Sequence, residues 1–226
     1  MTAHIEHPSL PFVTVKYAQS LDGRIATSTG DSRWISSPAA LRLAHKLRRE
    51  HDAIAVGIGT VLADDPQLTV RLVKGRSPLR VVVDSTLRTP ITARVLAGGA
   101  ASGTLMATAE SADPNRASEI HALGAAIVRL PACSNGSGID LTRLLAELGS
   151  RGIASLLVEG GKGIITSLLA ARAVDRLIVV TAPKIIGKGT EAIGDLGITQ
   201  LSEALTFASV SIRRLGDDVI FDGRLR

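Results

Sequence analysis

A glutamate followed by a glycine-rich turn is the part of this sequence with the clearest potential for chemistry. The run Glu159-Gly160-Gly161-Lys162-Gly163 separates an apolar stretch, residues 154–158, from a helical apolar pattern, residues 164–173. Glycines at such a junction let backbone N–H groups and the positive helix end face an anion. The spacing matches neither a P-loop nor the dinucleotide fingerprint. The turn therefore indicates either a diphosphate site or a tight turn that only needs glycine dihedrals.

Alternating strands and helices are predicted to position this turn. Apolar and β-branched runs predict strands at residues 11–18, 52–59, 78–85, 103–108, 125–131, 154–161 and 174–186, and helical spacing predicts helices at 39–51, 115–124, 140–152 and 164–173. Ser37 and Asp140 are the expected caps of the first and third helices. Residues 20–37 and 60–71 are expected to be loops, residues 134–138 a turn, and residues 207–226 a hairpin around Gly216-Asp217.

This order of elements predicts an α/β fold with a mixed, mostly parallel sheet, flanking helices and a C-terminal antiparallel hairpin. No internal repeat or linker interrupts it, so residues 1–226 are expected to form one domain in which residues 1–10 are an N-terminal extension. Ligands in such sheets bind beyond the carboxyl ends of the strands. Both glycine turns, Gly57-x-Gly59 and the one after Glu159, are predicted to lie at such ends.

Composition narrows the possible partners. The net charge is +5, but aromatic residues make up only 2% of the chain, which leaves few platforms for stacking bases, so a small anionic ligand is favoured over nucleic acid. No apolar run approaches the roughly 18 residues of a membrane span. The single cysteine, Cys133, favours a reducing, cytoplasmic setting. The five histidines and Asp64-Asp65 lack metal-ligand spacing, so no metal is expected.

Several blocks, in order, resemble the reductase domain of the bifunctional bacterial riboflavin-pathway deaminase/reductase family. They are residues 15–71, with "SLDGR…GDSRWIS" and "TVLADDPQLTVR", then "VVVDS" at 81–85, "LLVEGGKGIITSLLAARAVDRLIVVTAPKIIG" at 156–187 and "DDVIFDG" at 217–223. The resemblance implies a dihydrofolate-reductase-like fold and a homodimer. It also implies NADPH-dependent reduction of 5-amino-6-ribosylamino-uracil 5′-phosphate, or of its diamino-pyrimidinone equivalent, to the ribitylamino product. The family's N-terminal deaminase carries H-x-E and P-C-x-x-C zinc motifs. Here only about ten residues precede the first predicted strand and the chain has a single cysteine, so it is expected only to reduce.

The resemblance also implies the site residues. It assigns the cofactor to Ala18, Trp34, Thr60, Asp64, Ser85, Gly160, Gly161, Lys162, Gly163 and Ile164, within a segment that extends to Ser167, and the phosphorylated substrate to Ser32, Arg48, Leu68, Arg71 and Glu159. Thr86 and Arg88, with Ser85, are candidates for holding the adenosine 2′-phosphate. Guanidinium groups suit the substrate phosphate.

Lys16, Asp64 and Glu159 are the candidate catalytic residues. Glu159 ends an apolar strand, where an unpaired carboxylate is costly, so a substrate hydroxyl or a pyrimidine N–H is expected to donate to it. Lys16 either assists proton transfer or lies at a sheet edge with its ammonium in solvent. The proton donor is left open among these three residues and water.

Two other functions fit parts of this pattern. A stand-alone relative could reduce a dihydropterin or another heterocycle with the same cofactor half, and a degenerate domain could bind a nucleotide without catalysis. A phosphate grip at Arg48 and Arg71 favours the phosphorylated pyrimidine, and intact substrate residues argue against a non-catalytic module.

Overall fold

The structure, a computed structural model, describes residues 10–133 and 138–226. Most of the N-terminal extension and of the turn predicted at 134–138 lies outside these ranges. Within them, no helix is long and apolar enough to cross a bilayer.

The described residues form eleven strands, five α-helices and two short 3₁₀ helices. In chain order they are β1 (Phe12–Ser20), β2 (Arg24–Thr27), α1 (Pro38–Glu50), β3 (Ala53–Gly57), α2 (Ile58–Asp64), β4 (Leu79–Val83), a 3₁₀ helix (Ala101–Gly103), β5 (Thr104–Ala109), α3 (Pro114–Ala122), β6 (Ala126–Leu130), α4 (Leu141–Ser150), β7 (Ser155–Val158), α5 (Lys162–Ala170), β8 (Arg176–Ala182), β9 (Gly189–Glu191), a second 3₁₀ helix (Leu201–Glu203), β10 (Phe207–Leu215) and β11 (Asp218–Leu225).

Nine strands form one twisted sheet in the order β10-β11-β8-β1-β7-β3-β4-β5-β6. All neighbours are parallel except β11, which runs antiparallel to both β8 and β10. The mixed, mostly parallel sheet and the C-terminal hairpin are thus confirmed, with Gly216 at a φ of +64° in the hairpin turn. Because β1, β7 and β3 are adjacent, their carboxyl ends meet at one edge.

The sheet separates two apolar layers. One layer packs α4 and α5 against the sheet through residues such as Leu148 and Ile165, and the other packs α1, α2 and α3 through residues such as Leu47, Val61 and Ile120. Ligands in sheets of this kind bind beyond the carboxyl ends of the strands, so the edge where β1, β7 and β3 end is the expected place for a ligand.

Helix caps follow the sequence closely. The Ser37 hydroxyl accepts a hydrogen bond from the Ala40 N–H, with Pro38 in the first turn of α1. The Asp140 carboxylate accepts from the N–H groups of Thr142 and Arg143 at the start of α4. Both predicted caps are confirmed, because a cap is a contact between residues two or three positions apart.

Two loop predictions are wrong in part. Residues 60–71 were expected to be a loop, but their first part belongs to α2, which buries Val61 and ends where Asp65 adopts a left-handed conformation. The expected loop at 20–37 contains β2, which pairs with β9 from the far end of the chain. Such a pairing depends on a distant segment and leaves little local pattern.

Candidate functional site

Two strand-to-helix turns, one after β3 and one after β7, meet at the carboxyl edge of the sheet. The Gly57 N–H donates to the Gly160 carbonyl at 2.9 Å, which joins the turns directly. Gly160 has a φ of +111°, so the left-handed conformation belongs to this residue. Gly161 has a φ of −83°, and a Cβ there would lie 3.3 Å from the Thr60 Oγ1. Gly161 is therefore needed for close approach rather than for its dihedral.

The N-terminus of α5 lies open at this junction. Gly161 is the N-cap, and no side chain caps the first turn of the helix. The N–H groups of the first turn, which have no partner within the helix, are thus available to a ligand and carry the positive end of the helix dipole. Lys162, at the first helical position, adds a cationic side chain whose Nζ lies 3.5 Å from Glu191.

A cleft of about 690 Å³ lies over these two turns. Its volume falls in the range of small-molecule and cofactor sites. Most of the predicted cofactor residues line it, namely Thr60, Asp64, Ser85, Gly161, Lys162, Gly163 and Ile164, together with Ser167. The paired strands β2 and β9 form its outer wall through Ile25, Ala26 and Thr190. Sequence reasoning missed this wall because it treated residues 20–37 as an unpaired loop.

A second, smaller cavity of about 220 Å³ adjoins the cleft. Its lining includes the predicted residues Lys16, Ala18, Ser32, Trp34, Glu159 and Gly160. Five residues line both spaces: Ile25, Ser32, Thr60, Asp64 and Gly161. The two spaces share a wall, so ligands in each would meet at these residues.

A buried ion pair closes the floor beneath the smaller cavity. Arg48 donates from Nε to Glu159 Oε1 at 2.8 Å and from Nη2 to Oε2 at 2.6 Å, and its Nη1 donates to the Thr69 carbonyl at 3.2 Å. The side chains are only 10% and 12% exposed. Arg48 thus supplies donors to both oxygens of the buried Glu159 carboxylate, so a substrate group, the donor predicted from the sequence, is not needed to compensate for its burial. Arg48 itself lines neither cavity, since its guanidinium is engaged within the chain.

The charges beneath the smaller cavity act differently on the acidic catalytic candidate, Glu159, and on the basic candidate, Lys16. Burial raises the pKa of Glu159, but the paired Arg48 guanidinium and the nearby Lys16 outweigh it and hold the pKa below its ordinary value. Burial lowers the pKa of Lys16, as does Arg48, while Glu159 and Asp218 oppose the change. Glu159 is thus a carboxylate at neutral pH, and the Lys16 ammonium is a stronger acid than an ordinary lysine.

Ser32 and Asp64 connect the outer loop to α2 at the shared wall. The Ser32 hydroxyl donates to Asp64 Oδ1 at 3.3 Å, and Arg33 Nη2 donates to the Asp64 carbonyl at 3.2 Å. Trp34, the next residue along, is 70% exposed at the rim of the smaller cavity. These contacts place the loop residues that the sequence singled out beside the two glycine turns.

The remaining predicted residues lie outside both cavities. Leu68 is buried with a φ of +54°, and Arg71 is exposed, with its Nη1 donating to the Thr69 Oγ1 at 2.6 Å. Thr86 and Arg88 are exposed beyond the end of β4, next to Ser85.

His45 contacts the backbone of Arg71, one of the predicted site residues, and was not itself predicted. It lies on α1 one turn before Arg48, is 1% exposed, and accepts a hydrogen bond at Nδ1 from the Arg71 N–H at 2.9 Å. The sequence carried one signal for it: positions 45 and 48 lie on the same face of a helix. Its lack of metal-ligand spacing had removed it from consideration. In the described part of the chain no group of three or more His, Cys, Asp or Glu side chains could hold a metal.

Comparison with known proteins places this arrangement in a family. The family model of the RibD C-terminal domain matches residues 11–221. The chain belongs to this family. Two relatives illustrate it. A 2,5-diamino-6-ribosylamino-4(3H)-pyrimidinone 5′-phosphate reductase of Methanothermobacter thermautotrophicus is 41% identical over 218 residues, covering 94% of this chain and 97% of the relative. The riboflavin biosynthesis protein RibD of Aquifex aeolicus is 38% identical over 211 residues, covering 93% and 56%.

Solved structures of the family share the fold. Acinetobacter baumannii RibD aligns with a TM-score of 0.82 and 27% identity over 96% of this chain and 58% of that one. A dihydrofolate reductase of Enterococcus faecalis aligns with a TM-score of 0.52 and 11% identity over 95% and 96%, which confirms the dihydrofolate-reductase-like fold. The chain spans little more than half the length of the RibD proteins that it matches.

The Arg48–Glu159 pair gives a test of the site's foundation. Arg48→Ala should lower the free energy of unfolding by about 3–5 kcal/mol, because it leaves the Glu159 carboxylate buried without its partner. The double variant Arg48→Met/Glu159→Leu should recover much of this loss, since it removes both charges. Urea denaturation at neutral pH measures both.

Lys46→Ala on the same helix is the control. Lys46 lies 4.0 Å from Glu50 on the surface, and its loss should cost about 0–1 kcal/mol. Because the pKa of Glu159 is lowered, the pair's contribution is complete above the ordinary pKa of a glutamate, about 4.3, and is lost as the pH falls through the lower folded-state pKa. Equal costs for Arg48→Ala and Lys46→Ala would contradict the central place given to this pair.

Proposed function

We propose that this chain is an NADPH-dependent reductase of riboflavin biosynthesis. Its substrate is 5-amino-6-(5-phosphoribosylamino)uracil or the diamino-pyrimidinone equivalent, and its product carries a ribityl group in place of the ribosyl group. The similarity to a riboflavin biosynthesis protein and to a diamino-ribosylamino-pyrimidinone 5′-phosphate reductase supports this activity. Residues 11–226 would act as one reductase domain.

The observation that carries the proposal is the pair of adjoining cavities with a shared wall at Thr60, Asp64 and Gly161. Reduction by a nicotinamide cofactor needs two ligands in contact and shielded from water. The larger cleft suits a dinucleotide: the Gly161 turn leaves room that a Cβ would fill, and the uncapped start of α5 offers N–H groups to a diphosphate. When bound, NADPH supplies the hydride.

The smaller cavity suits the sugar end of the substrate, because Lys16 and Glu159 line it. Opening of the ribose ring breaks the bond between C1′ and the ring oxygen. The oxygen gains one proton and becomes a hydroxyl, while C1′ and its nitrogen, which keeps its hydrogen, become an iminium cation. A hydride from the bound cofactor would then add to C1′ and give the neutral ribitylamine, so the reaction takes up one proton and one hydride in total. The step therefore needs an acid beside the ring oxygen and an anion beside the developing positive charge.

Lys16 is our candidate for the acid. Its lowered pKa makes the ammonium a better proton donor near neutral pH, whereas Glu159, paired with Arg48, remains ionised. Glu159 would instead accept hydrogen bonds from sugar hydroxyls and offset positive charge at C1′. Asp64 would orient the groups at the shared wall through Ser32.

The anionic end of the substrate is assigned to Arg71, whose exposed guanidinium has free donors. The resemblance also assigned Arg48 to the phosphate. We propose instead that Arg48 supports Glu159, because its guanidinium already donates to Glu159 and Thr69. Leu68 and Ser32 remain candidate substrate contacts. On the cofactor side, Ser85, Thr86 and Arg88 are the candidates for the adenosine 2′-phosphate that distinguishes NADPH from NADH.

The direct test is NADPH oxidation with a panel of substrates: the two phosphorylated ribosylamino-pyrimidines, their dephosphorylated forms and a dihydropterin. We expect turnover of a phosphorylated ribosylamino-pyrimidine and a preference for NADPH over NADH of about ten- to a hundredfold, the value of one charge-assisted contact. Turnover of the dihydropterin alone would favour the alternative substrate class. Turnover of none, in a folded protein that binds NADPH, would indicate a non-catalytic module.

Gly161→Val tests the diphosphate site. The side chain would occupy the space against the Thr60 Oγ1, so NADPH affinity measured by calorimetric titration should fall below detection while circular dichroism stays unchanged. Ala170→Val, exposed at the far end of α5, is the matched control and should bind NADPH normally. Normal affinity in folded Gly161→Val would mean that the turn is only structural.

A homodimer is the remaining proposal, supported by the resemblance and by the free edge of the sheet. β10 lies at that edge, and Val210 and Ile212 are 50% and 68% exposed. Such an edge strand normally pairs or is covered. Light scattering should give twice the mass of one chain, and Ile212→Lys should yield monomers, whereas Leu201→Lys, at a 91% exposed position elsewhere, should not. A wild-type monomer across micromolar concentrations would refute the proposal.

A further inference from the structure

His45 fastens the loop after α2 to the helix that carries Arg48. Its Nδ1 accepts the Arg71 N–H at 2.9 Å and, at a longer 3.4 Å, the Leu72 N–H. An imidazole that accepts at Nδ1 is neutral and carries its proton on Nε2. The side chain is 1% exposed, so this acceptor has no competition from solvent.

The same loop is held at a second point, Thr69. Arg48 Nη1 donates to the Thr69 carbonyl at 3.2 Å, and Arg71 Nη1 donates to the Thr69 Oγ1 at 2.6 Å. The backbone of Arg71 is thus fixed by His45, while its side chain is aligned by its own loop. Loss of the His45 acceptor would free the backbone on which the Arg71 guanidinium depends.

The charges around His45 keep it in the accepting form. It faces Arg48 on its own helix, Arg71 on the loop and Glu159 at the end of β7. Burial lowers the pKa of His45, the two guanidinium groups lower it further, and Glu159 opposes them. Protonation at Nδ1 would remove the acceptor and set one N–H against another. The contact is therefore complete at neutral pH and is lost in acid.

We propose that His45 is a positioning residue for the anionic end of the substrate: its neutral imidazole holds residues 71–72 so that Arg71 can bind the phosphate. The inference rests on the proposed function, because it takes Arg71 as the phosphate ligand. It extends that function by making phosphate recognition depend on a buried group that touches neither substrate nor cofactor.

Two variants of the full chain separate positioning from mere structure. His45→Asn keeps an acceptor near the position of Nδ1 but cannot titrate, and His45→Leu removes the acceptor. With the phosphorylated substrate, His45→Leu should raise KM about tenfold with kcat within about twofold, since an unmet buried N–H typically has an effect of that order. His45→Asn should stay close to wild type. With the dephosphorylated substrate, neither variant should change KM.

The pH dependence of KM gives the second readout. Wild-type KM should rise as the pH falls through the lowered pKa of His45, on top of the change caused by titration of the substrate phosphate. His45→Asn should keep only the change due to the phosphate. In a double-mutant cycle, His45→Leu should add nothing to Arg71→Ala, because both act on the same contact.

The outcomes are distinct. A wild-type protein that reduces no ribosylamino-pyrimidine contradicts the proposed function and the inference with it. Where the wild type is active, any one of three results would overturn the inference alone. The first is that His45→Leu raises KM equally for both substrate forms, and the second is that its effect adds to that of Arg71→Ala. The third is that KM of His45→Asn follows the wild-type pH profile in acid. Should His45→Leu fail to fold, the pH profile of His45→Asn decides.

Discussion

The site depends on one buried ion pair between a helix and the end of a strand. Arg48 projects from α1 and Glu159 follows β7. Two hydrogen bonds join them, one from Nε and one from Nη2 of the guanidinium to the two carboxylate oxygens. Removing two charges from water is costly, and only this geometry compensates for the cost. The pair therefore fixes the end of β7 relative to α1, and the Gly160–Gly161 turn begins at the residue that it holds.

From this fixed point the turn can present bare backbone to a ligand. Gly160 takes the left-handed conformation, Gly161 keeps the space beside Thr60 open, and the Gly57 N–H binds the Gly160 carbonyl. The proposed anion site would thus consist of backbone groups on a rigid support rather than of mobile side chains. The pair also holds the pKa of Glu159 low, so Glu159 stays ionised, and this is why we propose Lys16 rather than Glu159 as the proton donor.

Much of this was accessible from the sequence. The caps at Ser37 and Asp140, the strand–helix alternation and the glycine turn are local patterns, and local patterns act between residues a few positions apart. The motif resemblance added Ser32, Thr60, Asp64 and the turn residues as one site, and the structure gathers them around two adjoining cavities. The resemblance alone could not show which of these residues contact each other.

The sequence by itself determined the order of elements, the family and the set of candidate residues at the carboxyl edge of the sheet. Only the tertiary structure decided their partners. Arg48 and Glu159 are 111 residues apart, and Arg24 of β2 meets Glu191 of β9 across 167. Such contacts follow from which strands become neighbours, a choice made by the packing of the whole sheet. For that reason the sequence alone did not show that Arg48 pairs with Glu159, or that His45 accepts a hydrogen bond from the backbone of Arg71.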